Sequence, residues 1–228
     1  MSHLIHTIFR EDFVSLIVPT IWDTLYMVLF TTIFSILLGL PIGILLTIFE
    51  KKHISPHPNI YKVLDFIVNI LRSFPFVILI IILIPLSKFI VGTSIGTTAT
   101  IVPLAIAAAP FVGRVIENSL KELDWGLIES AQAMGANKLQ IIFKVMIPEA
   151  LPSLLGGLTL TIINIIGYSA LAGVVGGGGL GDLAFRYGYQ GFDTYVLVWT
   201  VILLIVLVQL VQTIGNIVVR LIVKKRNH

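Results

Sequence analysis

The sequence predicts an all-α integral membrane protein with five transmembrane helices. Three observations carry that reading. Hydrophobic residues make up 57% of the 228 and charged residues only 12%, about half the charged share of a soluble domain. The apolar residues fall in long uncharged runs, giving a mean hydropathy of +1.01. The lysines and arginines gather at the ends of those runs.

Crossing ~30 Å of hydrocarbon takes about 20 apolar helical residues. Residues 25–49 form the first uncharged run of that length, and 63–86 the second, interrupted near its start by Asp65 and Arg72. Residues 97–113 form a shorter third run containing Pro103 and Pro110. Runs four (152–175) and five (195–219) carry no charge. The prolines, with Pro41 and Pro75, would break soluble helices, but neighbouring helices in a bundle can satisfy the carbonyls they free. Gly39 and Gly43 form a small-xxx-small pair suited to close helix packing. One membrane domain, 1–228, accounts for the chain. No cleavable signal is expected, because the first apolar run starts late and has no small-residue cleavage site behind it.

Five spans place the termini on opposite sides. With the N-terminus outside, 12 Lys/Arg lie inside and 3 (Arg10, Lys88 and Arg186) outside. The positive-inside rule therefore predicts N-out/C-in. The same distribution explains the pI of 9.2 by membrane topology, so no nucleic acid partner is implied. The chain has no cysteine and five histidines. His3 and His6 are near the terminus, His53 and His57 bracket prolines in a turn, and no span carries a histidine, so no metal site is expected.

The longest hydrophilic stretch is the inside loop 114–149. Asp124 can cap a helix, along which Leu127, Ile128, Ala131 and Met134 share one face. Gly135 ends that run. Asn137 can cap a second run bearing Leu139, Ile142, Phe143 and Met146, with Pro148 expected to stop it. The loop thus reads as two short amphipathic helices around a glycine turn. Alone, such a pair could lie on the membrane surface.

Within it, Glu129-Ser130-Ala131, three residues, Gly135, nine residues and Val145-Met146-Ile147-Pro148 resemble the EAA motif of ABC importer permeases. That motif reads Glu-Ala-Ala, three residues, Gly, nine residues, Ile, any, Leu, Pro. Glu129, Ala131, Gly135 and Pro148 match outright; Ser130, Val145 and Ile147 are conservative exchanges. Further stretches resemble the methionine-import permeases of that superfamily. These are Arg72-Ser73-Phe74-Pro75-Phe76, 90–97 (IVGTSIGT), 101–113 (IVPLAIAAAPFVG), Ala133-Met134-Gly135-Ala136, 148–152 (PEALP), Gly167-Tyr168-Ser169-Ala170 and Gly188-Tyr189 with Gly191. The similarity runs from the first span to the fifth, and five spans agree with that family.

The resemblance implies a type I ABC importer permease fold in the bacterial inner membrane. It implies a homodimer with two copies of an ABC ATPase subunit and an extracytoplasmic substrate-binding lipoprotein. L-methionine, extending to D-methionine, would be the substrate. ATP would be bound by the partner, and this chain would hold no cofactor. The segment around Glu129 to Gly135, with Ala133, Met134, Ile147 and Pro148, would seat in a cleft of the ATPase and carry its motion to the spans. Tyr168, Ser169, Leu171 and Asn164 are candidates for the pathway or its gate.

Other features read more plainly. Gly176, Gly178 and Gly181 spell G-x-G-x-x-G, but a span precedes them rather than a strand, so a flexible outer turn is expected instead of a nucleotide site. Arg72 is expected to serve topology and packing, with a gating or ATPase-side contact as the alternative. Asn164, Gln209 and Gln212 are expected to bond between helices, with pathway lining as the alternative. Neither G-x-x-x-x-G-K-[ST] nor a catalytic constellation occurs, so the chain is not expected to be an enzyme. Two alternatives stay open. One is a permease for another amino acid or small polar nutrient. The other is an ion-coupled secondary transporter, although the middle of every span lacks the acidic residues that class places there.

Overall fold

The structure, a computed structural model, describes residues 11–226; His3, His6, Arg10 and His228 lie outside the described residues. The described chain is helical, with no strand among the described residues. Its helices are α1 (Glu11–Ile48), α2 (Pro58–Ser73), α3 (Phe76–Val91), α4 (Thr97–Lys121), α5 (Trp125–Ala133), α6 (Ile147–Val174), α7 (Gly179–Leu183) and α8 (Thr194–Arg226). One helical turn (Lys138–Gln140) and a π-helical segment (Ile141–Met146) lead into α6, and a second π-helical segment (Ala184–Gln190) follows α7. By length and composition four helical segments can cross a membrane, and the bent pair α2–α3 makes a fifth. Only 11% of the most apolar stretch of α8 is buried inside the protein. Side chains such as Ile205, Leu210, Ile214 and Leu221 are left exposed, a surface that suits lipid and not water.

Four boundaries differ from the sequence-based expectation. α1 starts well before residue 25, since the single carboxylate of Asp23 does not outweigh the apolar run ahead of it. The expected span 63–86 breaks in the middle: α2 and α3 meet at 104°. Phe74, just before Pro75, has ψ 132°, the extended backbone that a following proline imposes. The third span does not stop at Gly113 but continues to Lys121. Arg114, Glu117 and Lys121 fall three and four residues apart and pair along the helix, so the charges sustain it. Pro148 does not end a loop helix; it sits in the first turn of α6, continuous with the π-helical segment before it.

The chain divides into two compact units, each drawn from several segments. Among the described residues, the first comprises 11–33, 75–105 and 162–210. Met27, Ile101 and Leu104 are buried there, with Phe30, Phe76 and Tyr168 packed against them. Ile17, Leu183 and Val196 form a second cluster beside Trp199. The run 176–181 is not a flexible turn. Gly176, Gly178 and Gly179 hold positive φ, and a Cβ on Gly181 would overlap the Ala170 carbonyl oxygen and lie 2.5 Å from the Ala170 Cα. Thr24 Oγ1 of α1 accepts a 2.8 Å hydrogen bond from the buried Leu180 N–H, fixing the first turn of α7.

The second unit comprises, among the described residues, 34–74, 106–161 and 211–226. Its core joins Val112, Ile116 and Leu120 of α4 to Ile128 and Ala131 of α5 and to Ile141, Ile142 and Met146 of the π-helical segment. Gly39 and Gly43 let α1 meet α4 closely: a Cβ at either would come within 2.6 Å of Val112 or Ile116. All 12 basic residues expected inside belong to this unit, and Lys88 and Arg186 belong to the first.

Candidate functional site: the α4–α6 connection and the exposed face of α6

Asp124 caps α5, its Oδ1 accepting from the Gly126 N–H at 2.6 Å. Gly135 follows with φ 80°, a left-handed conformation that glycine adopts without strain. Asn137 then forms a capping box with Gln140. The Ile147 N–H reaches back to the Ile142 carbonyl, so the helix carries a π-type widening where the connection becomes α6. Such insertions often mark functional positions in helices.

One side of α5 is anchored and the other is bare. Ile128 and Ala131 are buried, whereas Leu127 is 41% and Met134 82% exposed. Trp125, Leu139 and Phe143 are also exposed. The face expected to be apolar therefore splits into a half buried in the core shared with α4 and the π-helical segment and a half that is uncovered. Glu129, Ser130 and Ala133 lie on the exposed side, with the Ser130 hydroxyl donating to the Gly126 carbonyl at 2.7 Å. Ile147 is half-buried and Pro148 exposed.

The 49–57 turn braces this connection. Ile54 joins the same core, and Lys138 Nζ donates to Ser55 Oγ at 3.0 Å. The His53 ring meets Trp125 edge-on with centroids 5.6 Å apart. Burial lowers the His53 pKa from its usual value; Glu50 works against that shift and Lys121 adds to it. A histidine held neutral in the fold takes up protons more readily once unfolded, so its contribution to stability is complete above the unfolded pKa of about 6.5 and is lost as pH falls below it. Thermal unfolding of the purified chain between pH 8 and 5 is expected to show a smaller acid-side loss for His53→Phe, which keeps the ring, than for the wild type. Equal losses would remove His53 as the cause.

Sequence reasoning missed a buried charge network beside this connection, having assigned Glu117 to the loop. Glu117 is 1% exposed. Its Oε2 accepts from Arg114 Nη1 at 2.7 Å and its Oε1 from Lys121 Nζ at 2.8 Å. Arg114 also reaches Asp65 at 2.6 Å and Asn69 at 3.0 Å on α2, and Lys121 reaches Glu50 at 3.1 Å. The signal was present in the spacing of Arg114, Glu117 and Lys121, but only a helix makes them neighbours. Arg72 stacks over the Phe111 ring at 5.9 Å, in keeping with a packing role.

The pathway candidates separate. Asn164 and Leu171 lie on one exposed stripe of α6 with Leu160, Gly167 and Val174. Leu171 and Val174 also line an open apolar groove of about 320 Å³ with Phe185 and Tyr189. Ser169 is instead buried, its hydroxyl donating to the Ile166 carbonyl, and Tyr168 stacks on Phe76 at 4.2 Å. Gln212 bonds to Asn216 on its own helix rather than across helices. Among the described residues no group of three His, Asp or Glu side chains is placed to hold a metal.

Comparison with known proteins places this architecture. Residues 39–228 match the family model described as binding-protein-dependent transport system inner membrane component. The chain is 49% identical to a Vibrio cholerae protein named "Probable D-methionine transport system permease protein MetI", over 90% of this chain and 92% of that protein. It is 45% identical to the Escherichia coli protein named "D-methionine transport system permease protein MetI", over 72% and 75% of the two chains. Its structure is similar to an inward-facing conformation of the MetNI methionine ABC transporter, with TM-score 0.92, 44% identity, and 94% and 99% of the chains covered. A chain of an amino acid ABC transporter shares the fold alone, with TM-score 0.70 and 20% identity. With its apolar spans and its helical connection, the chain belongs to the family of binding-protein-dependent transport system inner membrane components, the membrane permease subunits of ABC transporters.

Proposed function

We propose that this chain is the permease subunit of an ATP-driven importer of methionine in the bacterial cytoplasmic membrane, taking the L and D enantiomers. The observation that carries the reading is the α4–α6 connection. Leu127 on α5 and Met134 at its end stand exposed, as do Leu139 and Phe143 beyond Gly135, while the other side of α5 is buried in a core shared with α4 and the π-helical segment. Uncovered apolar side chains of this kind mark a protein interaction surface. Their place in the EAA-like motif assigns the partner as an ABC ATPase subunit, which binds the ATP, while this chain binds no cofactor. The names of the similar transporters support methionine as the substrate.

The assembly is two copies of this chain with two ATPase subunits, fed by an external substrate-binding lipoprotein. The exposed stripe of Asn164, Gly167 and Leu171 lines the pathway, with Leu171 at the gate. The termini lie N-out and C-in. The charge split supports this, since one compact unit holds every basic residue assigned to the inside. The test is uptake of labelled methionine by cells lacking this chain. Uptake is expected to be lost, restored by the chain, and competed by both enantiomers. Unchanged methionine uptake, or restoration of another amino acid instead, would overturn the substrate.

A further inference from the structure

Glu117 is a buried carboxylate that the importer reading leaves unused. A carboxylate out of water needs both paired charge and hydrogen bonds, and an apolar replacement of a buried ion pair is often at least as stable. Stability is therefore not the best-attested reason for a carboxylate at 1% exposure; fixing one register among several helices is.

The geometry fits that task. Each Glu117 oxygen holds one cation, Arg114 on one side and Lys121 on the other. Each cation then grips a second carboxylate on a different segment, Asp65 of α2 and Glu50 just beyond α1. The outer carboxylates are 32% and 44% exposed and the central one 1%. Charges thus alternate along one line, and Glu117 is the link between its halves. On the same turns of α4, Ile116 and Leu120 share one buried core with Ile128 and Ala131 of α5.

We propose that Glu117 is a positioning residue for energy coupling. It ties the end of α1, α2 and the base of α4 into one body, so that a displacement of α5 is delivered to all three together. The proposal rests on the reading of α5 as the ATPase-contacting helix. Arg114, Glu117 and Lys121 all belong to α4, so the carboxylate acts by fixing the two cations where they reach Asp65, Asn69 and Glu50. Without it they are no longer held there, and α5 moves α4 without carrying the others.

The experiment uses the permease assembled with its ATPase subunit and binding protein in proteoliposomes, measuring methionine uptake and ATP hydrolysis together. Glu117→Gln keeps the shape and removes the charge. Uptake turnover is expected to fall about tenfold, with half-saturation by methionine and ATP hydrolysis each within about twofold of wild type. Glu117→Asp, which restores the charge, is expected to recover part of the lost uptake per ATP. A merely structural role would lower uptake and hydrolysis in parallel. Uptake per ATP for Glu117→Gln within about twofold of wild type overturns the proposal. If that variant does not assemble, Asp65→Asn and Glu50→Gln decide, since they cut the half-exposed outer links. Each is expected to lower uptake per ATP about threefold, and wild-type ratios in both overturn the proposal. A wild-type assembly that imports no methionine with ATP would instead sink the importer reading. Hydrolysis unaffected by loss of the α5 surface would sink the coupling reading.

Discussion

Gly181→Ala is expected to destabilise the protein by about 3 kcal/mol, at the upper end of overpacking costs. That lowers Tm by roughly 6–12 °C for a chain of this size. The reason is the nature of the obstacle. The new methyl would overlap the Ala170 carbonyl oxygen and crowd the Ala170 Cα, and backbone inside a helix cannot swing aside as a side chain end can. Gly173 meets the same turn from the other side, with its Cβ position 2.5 Å from the Gly181 carbonyl carbon. Gly167, two turns earlier on α6, has nothing near its Cβ position. Gly167→Ala should therefore not lower Tm, and the better helix propensity of alanine, about 1 kcal/mol, should raise it by roughly 2–4 °C. Thermal unfolding of the two variants in detergent checks the contrast, and equal effects would mean that the turn is not packed as described.

Leu127→Glu combined with Met134→Glu is expected to weaken binding of the ATPase subunit about 100-fold or more. Burying side chains of this size contributes about 1.5–3 kcal/mol each, and 1.4 kcal/mol is a factor of ten in affinity. Both residues are well exposed in the chain itself, so the double variant should fold and insert normally. Affinity for the purified ATPase subunit, together with Tm, separates the two effects. Binding within threefold of wild type would show that this face is not the contact.

Much of the fold was legible because a bilayer leaves few solutions. Long apolar runs have to be helical there, and the positions of the lysines and arginines suffice to argue an orientation. Local signals were legible too: Asp124, Gly135 and Asn137 each do around the turn after α5 what their chemistry suggests. The errors came where composition and local geometry disagree. Residues 63–86 look like one apolar run, yet Pro75 forces Phe74 extended and turns the chain. The glycines at 176–181 suggest freedom, but contacts with Thr24, Ala170 and Thr97 fill the space their missing side chains leave. Glu117 fell within the stretch 114–149 read as the inside loop, because the third apolar run was taken to end at Gly113. Only the folded α4 shows Arg114 and Lys121 folding over it, with Asp65 and Glu50 contributed by residues about 50 and 70 positions earlier. Contacts that distant leave no mark in a single sequence.

The central claim is that this chain transmits work done by a separate ATPase. The most direct measurement is methionine uptake into proteoliposomes holding the chain, its ATPase subunit and the binding protein, driven either by ATP or by an imposed proton gradient. The account predicts accumulation with ATP, none with the gradient alone, and no ATP hydrolysis by the purified chain without its partner. Accumulation driven by the gradient in the absence of ATP would contradict it.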